Sequence, residues 1–390
     1  MVSIHDHGSA GHLNCLSELV EECGGEIDMS KLPIGDKTLS AKEIIANESQ
    51  ERMGLLIDEK HIEHVRRIAE RERAPLYVVG ETTGDAHFSF VQADGVKPFD
   101  LDVAQMFGHS PKTIMRDETV ERTYEDVAYS EANLDEYVSR VLQLEAVACK
   151  DWLTNKVDRS VTGKIARQQC QGQIQLPLSD CGVVALDYRG HKGIATALGH
   201  APQAGLASPE AGSVLSVAEA LTNLVWAPMA DGMKSISLSA NWMWPCRNEG
   251  EDARLYQAVQ AASDFAIELG VNIPTGKDSL SMTQKYGDKK VYAPGTVIIS
   301  TVGEVTDFRK IVIPVLKNDP ATEIVYVDFS FDKLKLGGSS FAQILNKVGK
   351  EVPDVRDSEY FARAFTAIQQ LVDEGIVLAG HDISAGGMVT

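Results

Sequence analysis

The same short motif stands near both ends of the chain. His5-Asp6-His7-Gly8-Ser9-Ala10-Gly11 and His381-Asp382-Ile383-Ser384-Ala385-Gly386-Gly387 each carry His-Asp followed closely by Ser-Ala-Gly. Each has the character of a Gly-rich turn from a strand into a helix. In such a turn backbone N–H groups can face an anion and an Asp can hold a cation. After the first copy, Leu13, Leu16, Leu19 and Val20 continue as an apolar helical pattern. After the second copy the sequence stops. A strand-to-helix turn has to be supported on both sides. The two copies therefore point to an internal duplication, and this chain is expected to be cut from the middle of it.

Between the two copies the texture changes twice. A chain of 390 residues leads one to expect two or three domains. Residues 1–110 read as an α/β unit. It has a helix over 12–23, a short one from Ala41, an amphipathic one over Glu59–Arg73, and strands at Met53–Ile57, Leu76–Gly80 and His87–Val91. Residues 111–140 are polar with little periodicity and read as a linker, with a helix from Asn133. Residues 141–310 read as α+β, opening with a helix over Leu142–Asn155. Short strand-like runs at Gln173–Leu178, Gly182–Tyr188, Gly193–Leu198, Ser235–Asn241 and Tyr292–Val302 are interrupted by helices at Ser213–Trp226 and Asp252–Leu269, the second stopped by Gly270. Residues 320–390 return to α/β, with strands at Glu323–Asp328 and Ile376–Ala379 and helices at Ser339–Val348 and Ser358–Glu374.

Charge and cysteine usage narrow the function classes. Asp plus Glu is 56 and Lys plus Arg is 37, a net charge of −19. Such a chain repels a phosphate backbone, so no nucleic-acid partner is expected. A local phosphate site stays open, because a metal, backbone amides or one Lys can supply it. No uncharged apolar run reaches about 18 residues, so no transmembrane helix and no membrane partner are expected. The N-terminus has no basic region and no apolar signal core. The six Cys, at 15, 23, 149, 170, 181 and 246, form no CxxC pair. This is the pattern of a reduced, cytoplasmic protein with Cys as small core residues.

The helix at 213–226 is the most telling local feature. Val214, Val217, Ala218, Leu221, Leu224 and Val225 form its apolar face, and Glu219 is the only charge between Glu210 and Asp231. Asn223 follows Glu219 at i+4, so the two side chains point the same way, about 5–6 Å apart at Cβ. Carboxylate and amide oxygens suit a hard cation such as Mg²⁺; a solvated polar stripe is the plain alternative. Asp180 lies between two strand-like runs, where it either joins a metal site or forms a turn. Gly276-Lys277-Asp278-Ser279 is not a Walker loop and reads as a turn into a strand. Asp158-Arg159-Ser160-Val161-Thr162-Gly163 is a phosphate-facing loop or a capped turn. His5, His7 and His12 invite a zinc reading, but their spacing mixes strand alternation with a helix turn. No Cys sits with a His and an acid as a nucleophile would.

In family order, these stretches resemble phosphoribosylformylglycinamidine synthase of the large, single-chain type. They are 5–11, Asn47-Glu48-Ser49-Gln50-Glu51-Arg52, 158–163, Ser179-Asp180-Cys181, Glu219-Ala220-Leu221-Thr222-Asn223, Ser239-Ala240-Asn241-Trp242, 276–279 and 381–384. Each is a moderate signal and the ordered set a strong one. The resemblance implies aminoimidazole-ribonucleotide-synthetase-like domains, α/β and α+β, truncated at both ends. The chain would hold the rear of a first α/β domain, a complete α+β domain and the front of a second α/β domain. It would lack the front synthetase domain and the glutaminase domain, which become expected partners.

The resemblance further implies conversion of formylglycinamide ribonucleotide to formylglycinamidine ribonucleotide, driven by ATP and by ammonia from glutamine, in purine synthesis. By motif match, Asp180, Glu219, Asn223 and Asp382 are ligands of Mg²⁺ at an auxiliary ATP/ADP site. Ser179, Ser384, Lys277 and Asp278 are its nucleotide contacts. Asp6 matches a metal ligand of the first half, and Glu48, Ser49 and Gln50 match its substrate-binding segment. No catalytic residue is assigned, and the chain alone is expected to be inactive. The alternative is a non-catalytic Mg–nucleotide-binding module. Aminoimidazole ribonucleotide synthetase and selenophosphate synthetase are disfavoured, because their chains are not permuted around the repeated turn.

Overall fold

The computed structural model describes residues 2–48, 51–108, 112, 114–116, 118–154 and 163–390. The chain divides into two compact units, Met1–Ile114 and Met115–Thr390.

In the first unit, β1 (Ser3–Asp6) leads into α1 (Gly11–Leu19), followed by β2 (Gly25–Asp28), α2 (Ala41–Ile45) and β3 (Met53–Leu56). Then come α3 (Ile62–Glu72), β4 (Gly80–Thr82), β5 (His87–Val91), β6 (Phe99–Asp102) and α4 (Val103–Phe107). Strands β1 and β3 pair antiparallel as a ribbon, and β4-β2-β5-β6 form a second sheet. The core joins Cys15, Leu16 and Leu19 of α1 to Phe88 and Phe90 of β5. Ser40 and Glu43 form a reciprocal cap that starts α2. Helix α3 forms where its charge pattern placed it, yet none of its residues is buried.

The second unit opens with α5 (Leu134–Val141), α6 (Asp151–Thr154), β7 (Ile165–Arg167), β8 (Cys170–Gln171), β9 (Leu176–Pro177), β10 (Cys181–Ala185) and β11 (Gly193–His200). It continues with α7 (Pro202–Ala207), α8 (Pro209–Leu224), β12 (Ala230–Met233), β13 (Ile236–Met243), α9 (Glu251–Leu269) and β14 (Asn272–Ser279). It ends with β15 (Thr283–Tyr286), β16 (Lys289–Tyr292), β17 (Thr296–Val305), α10 (Ser340–Ile344) and α11 (Ser358–Asp373). A six-stranded sheet has the order β14-β13-β17-β11-β10-β7. Its pairs are antiparallel except β13–β14. Helices α8 and α9 bury Val217, Leu221, Leu224, Ala262 and Phe265 in the same core as Val183 and Ile299 of the sheet.

Helix α8 starts four residues earlier than its apolar pattern suggested. Ser208 accepts the Ala211 N–H at 3.1 Å, and Pro209 occupies the first turn, where its missing N–H costs nothing. Helix α9 ends at Gly270 in the left-handed region, φ 69°, as expected. Several expectations fail, and the strand expected over Leu76–Gly80 forms only from Gly80, as β4. Glu323–Asp328 and Ile376–Ala379 have strand-like sequences but join no sheet. Gly276–Ser279 belongs to strand β14 itself rather than to a turn before it. Of the helix expected over Leu142–Asn155, only α6 forms among the described residues.

Residues after 320 are part of the second unit's core. Phe361 and Phe365 of α11 are fully buried against the cluster that holds Phe265. The Gln369 side chain donates to Val225 O and Ala227 O and accepts the Met229 N–H. The stretch read as a linker is also anchored to this unit. Arg122 reaches Glu251 at 2.6 Å and the Tyr124 hydroxyl donates to Leu206 O.

Candidate functional site

The geometry of the site begins at Gly199 near the end of β11. A Cβ there would lie 2.2 Å from both Ala220 N and Ser216 O, so glycine lets α8 press directly on the strand. That contact sets two side chains of α8 against the strand end. The Glu219 carboxylate accepts the His200 N–H at 2.5 Å and faces His200 Nδ1 at 3.4 Å. Asn223 Nδ2 donates to Leu198 O at 2.8 Å, and its Oδ1 is buried with no hydrogen-bond partner.

Asp180 stands just before β10, and the second Gly-rich turn comes to it from the far end of the unit. Gly380 allows this approach: a Cβ there would lie 2.2 Å from the Trp226 ring, while its N–H donates to Ile313 O. His381 Nδ1 then reaches Asp180 Oδ1 at 2.5 Å, and the Asp382 N–H donates to Asp180 Oδ2 at 3.2 Å. Ligand atoms from Asp180, His381 and Asp382 all lie within 4.8 Å of one another. The side chains of Asp180 and Asp382 are 4% and 6% exposed. Burial pushes the Asp382 carboxyl up to about 7, and the negative charges of Asp180 and Glu219 push it the same way. Asp180 and Asp382, crowded out of water, offer oxygen donors that fit a hard divalent cation; Glu219 lies outside that close cluster but near enough to act on Asp382, with the unpaired Asn223 oxygen one helical turn from it.

The neighbouring groups divide. Ser179 lines a small cavity beside Asp180 together with Arg167, Trp226 and Ile313. Ser384 is exposed two residues beyond Asp382. Lys277 and Asp278 lie elsewhere, exposed on the edge strand β14, where Lys277 donates to Ser279 Oγ at 2.6 Å. Four strand spacings separate β14 from β10, on the order of 19 Å at about 4.8 Å each. The structure therefore does not bring them to Asp180. Cys181 beside Asp180 is no nucleophile, since burial holds its thiol up at about 12. His200 and His381 are the residues that motif reasoning passed over. His381 stands next to Asp382 in the repeated turn, but its carboxylate partner Asp180 lies 201 residues away.

In the first unit Asp6 ends β1 and is exposed. Gly11, with φ 57°, sits so close to Asn47 that a Cβ would lie 2.2 Å from Asn47 O. This packs the first Gly-rich turn against the segment that runs into Glu48. Ser49 and Gln50 lie outside the described residues, as do 158–162. The three histidines form no metal trio. His5 faces Glu18, while His7 Nε2 meets His12 Nδ1 at 2.9 Å and Arg52 Nη1 stands 3.2 Å from His12 Nε2. Burial, His7 and Arg52 together depress His12 to about 4. A guanidinium against the imidazole pair is a brace that repels a cation.

Two family descriptions match the chain. "AIR synthase related protein, C-terminal domain" covers residues 1–92, and "FGAR-AT PurM_N-like domain" covers 149–304. Curated relatives include a probable phosphoribosylformylglycinamidine synthase of Caenorhabditis elegans, 36% identical, and phosphoribosylformylglycinamidine synthase of Homo sapiens, 37% identical. In both cases the match covers 100% of this chain and 30% of the relative. The chain thus spans under a third of the length of the curated relatives it matches. Solved structures of Thermotoga maritima PurL complexed with ATP and with ADP are 18% identical, with TM-scores of 0.55 and 0.57, over 80% of this chain and 48% of theirs. They share its fold.

Proposed function

Since the chain is a relative of phosphoribosylformylglycinamidine synthase throughout its own length, we propose that it supplies part of the synthetase core of that enzyme, including a divalent-cation and nucleotide site. The observation that carries this reading is the convergence of Asp180 and Asp382 from distant parts of the chain, with Glu219 acting on the same carboxyl. In the full reaction the terminal phosphoryl group of ATP passes to the amide oxygen of formylglycinamide ribonucleotide. Ammonia derived from glutamine then adds at that carbon, and phosphate leaves with the oxygen to give the amidine.

Mg²⁺, when bound, would offset the charge of the nucleotide phosphates. Asp180, Glu219, Asn223 and Asp382 would hold it through oxygen, and Ser179 and Ser384 would face the nucleotide. The small cavity at Ser179 and the exposure of Ser384 support that order. Asp6 with Glu48, Ser49 and Gln50 would serve a separate substrate-binding locus. The remaining partners are the other domains of the enzyme, in the cytoplasm; no helix among the described residues is long and apolar enough to cross a membrane.

Positioning of charge dominates phosphoryl transfer, and a chain with under a third of the relatives' length lacks many positioning groups. The isolated chain is therefore a nucleotide-binding module without turnover. Calorimetric titration with Mg²⁺–ADP should show saturable binding that Asp180→Asn abolishes. Absence of saturation in the unaltered chain refutes the site, and ammonia-dependent amidine formation by the purified chain refutes its inactivity.

A further inference from the structure

Two carboxylates of the proposed cation site are each held by the same pair of donors, one imidazole and one backbone amide. Glu219 has His200 Nδ1 and the His200 N–H; Asp180 has His381 Nδ1 and the Asp382 N–H. We propose that His381 is a positioning residue of the cation site, fixing the Asp180 carboxylate toward Asp382 rather than ligating the ion itself. This rests on reading the cluster as a divalent-cation site.

The argument is one of hydrogen-bond capacity. An ionised carboxylate only accepts, so the short contact requires the proton on His381 Nδ1. Nδ1 is then unavailable to a metal, so His381 could ligate only through Nε2, which nitrogen coupling to a bound Mn²⁺ tests directly. The imidazole and the Asp382 amide take one lone pair from each Asp180 oxygen, which leaves the others for an ion. The Asp180 side chain is 4% exposed, so without these donors its orientation would be set by burial alone. The backbone leading into His381 is itself fixed. Gly380 packs on the Trp226 ring and its amide donates to Ile313 O, so residue 381 enters from a fixed direction. Hydrogen bonds that orient a metal-binding carboxylate typically change metal affinity about 10- to 100-fold when removed.

The probe is Mn²⁺ alone, followed by electron paramagnetic resonance on the full chain without nucleotide. His381→Ala should weaken Mn²⁺ binding by about 10- to 100-fold. His381→Asn keeps an N–H near the Nδ1 position and should restore affinity to within a few-fold of the unaltered chain. The Mn²⁺ bound to the unaltered chain should show no coupling to a directly coordinated imidazole nitrogen. Strong nitrogen coupling, or equal loss in the Asn and Ala variants, would make His381 a ligand and overturn the proposal. Unchanged affinity in His381→Ala would overturn it as well. If the unaltered chain binds no Mn²⁺, the cation site falls, and this inference falls with it. The urea midpoint of each variant without metal separates loss of fold from loss of binding.

Discussion

Asp382→Asn tests the charge crowding directly. Asp382 is held near 7 against an ordinary value of 3.8, because it is buried beside Asp180 and Glu219. A carboxyl raised in the folded state contributes stability below its unfolded pKa and loses it as pH rises toward the folded value. The metal-free chain should therefore weaken progressively from about pH 4 to about pH 7 on account of this group and stay flat above. A difference of about 3 pH units corresponds to about 4 kcal/mol. Asn has the shape of the protonated acid and carries no charge. The variant should exceed the unaltered chain by about 4 kcal/mol at pH 8 and by about 2 kcal/mol at pH 5.5. Urea unfolding followed by tryptophan fluorescence is the assay. All four tryptophans, at 152, 226, 242 and 244, lie in the second unit, so the signal reports that unit alone. Millimolar Mg²⁺ should raise the unaltered chain at pH 8 and leave the variant unmoved. A variant less stable than the unaltered chain at pH 8, or a difference independent of pH, would refute the reasoning.

Gly199→Ala should cost about 3 kcal/mol, because its Cβ would collide with the α8 backbone. It should also lower Mn²⁺ affinity, since Glu219 and Asn223 ride on that helix. Unchanged metal binding would show that the contact of α8 with β11 does not set the site. His12 should stay neutral down to about pH 4, and the depressed value means that its contribution to stability is lost as pH falls from about 6.5 toward 4. An NMR titration of its ring protons with a midpoint near 6.5 would contradict the Arg52 brace.

The sequence showed most clearly what depends on periodicity and capping. The α9 pattern is readable because one face is apolar, α8 is readable from its run of small and apolar residues although it is buried on most sides, and Gly270 marks its own helix end. Glu219 stands out in the sequence as the only charge between Glu210 and Asp231. Hydrogen-bond partners across long sequence separations were not visible. Neither His200 nor His381 carries any mark of its carboxylate in the neighbouring residues. Strand propensity also misled at Glu323–Asp328, whose Ile324 and Val325 are 87% and 73% exposed. A β-prone segment becomes a strand only where another strand offers its edge.

The anchoring of residues 118–127 bears on how this polypeptide can be divided. The Glu251 side chain is 4% exposed, and Arg122 is its partner at 2.6 Å. Arg254, the other cation nearby, stands back at 3.6 Å and spends its guanidinium on Gly205 O and Leu206 O. Cutting the gene after residue 140 would strip Arg122 from a buried acid, at a cost of about 3 kcal/mol. Cutting after residue 114 keeps the clasp with helices α7 and α9. A fragment of 115–390 should accordingly resist urea to a higher midpoint than one of 141–390. The stretch that looked like a hinge between modules behaves as a handle belonging to one of them.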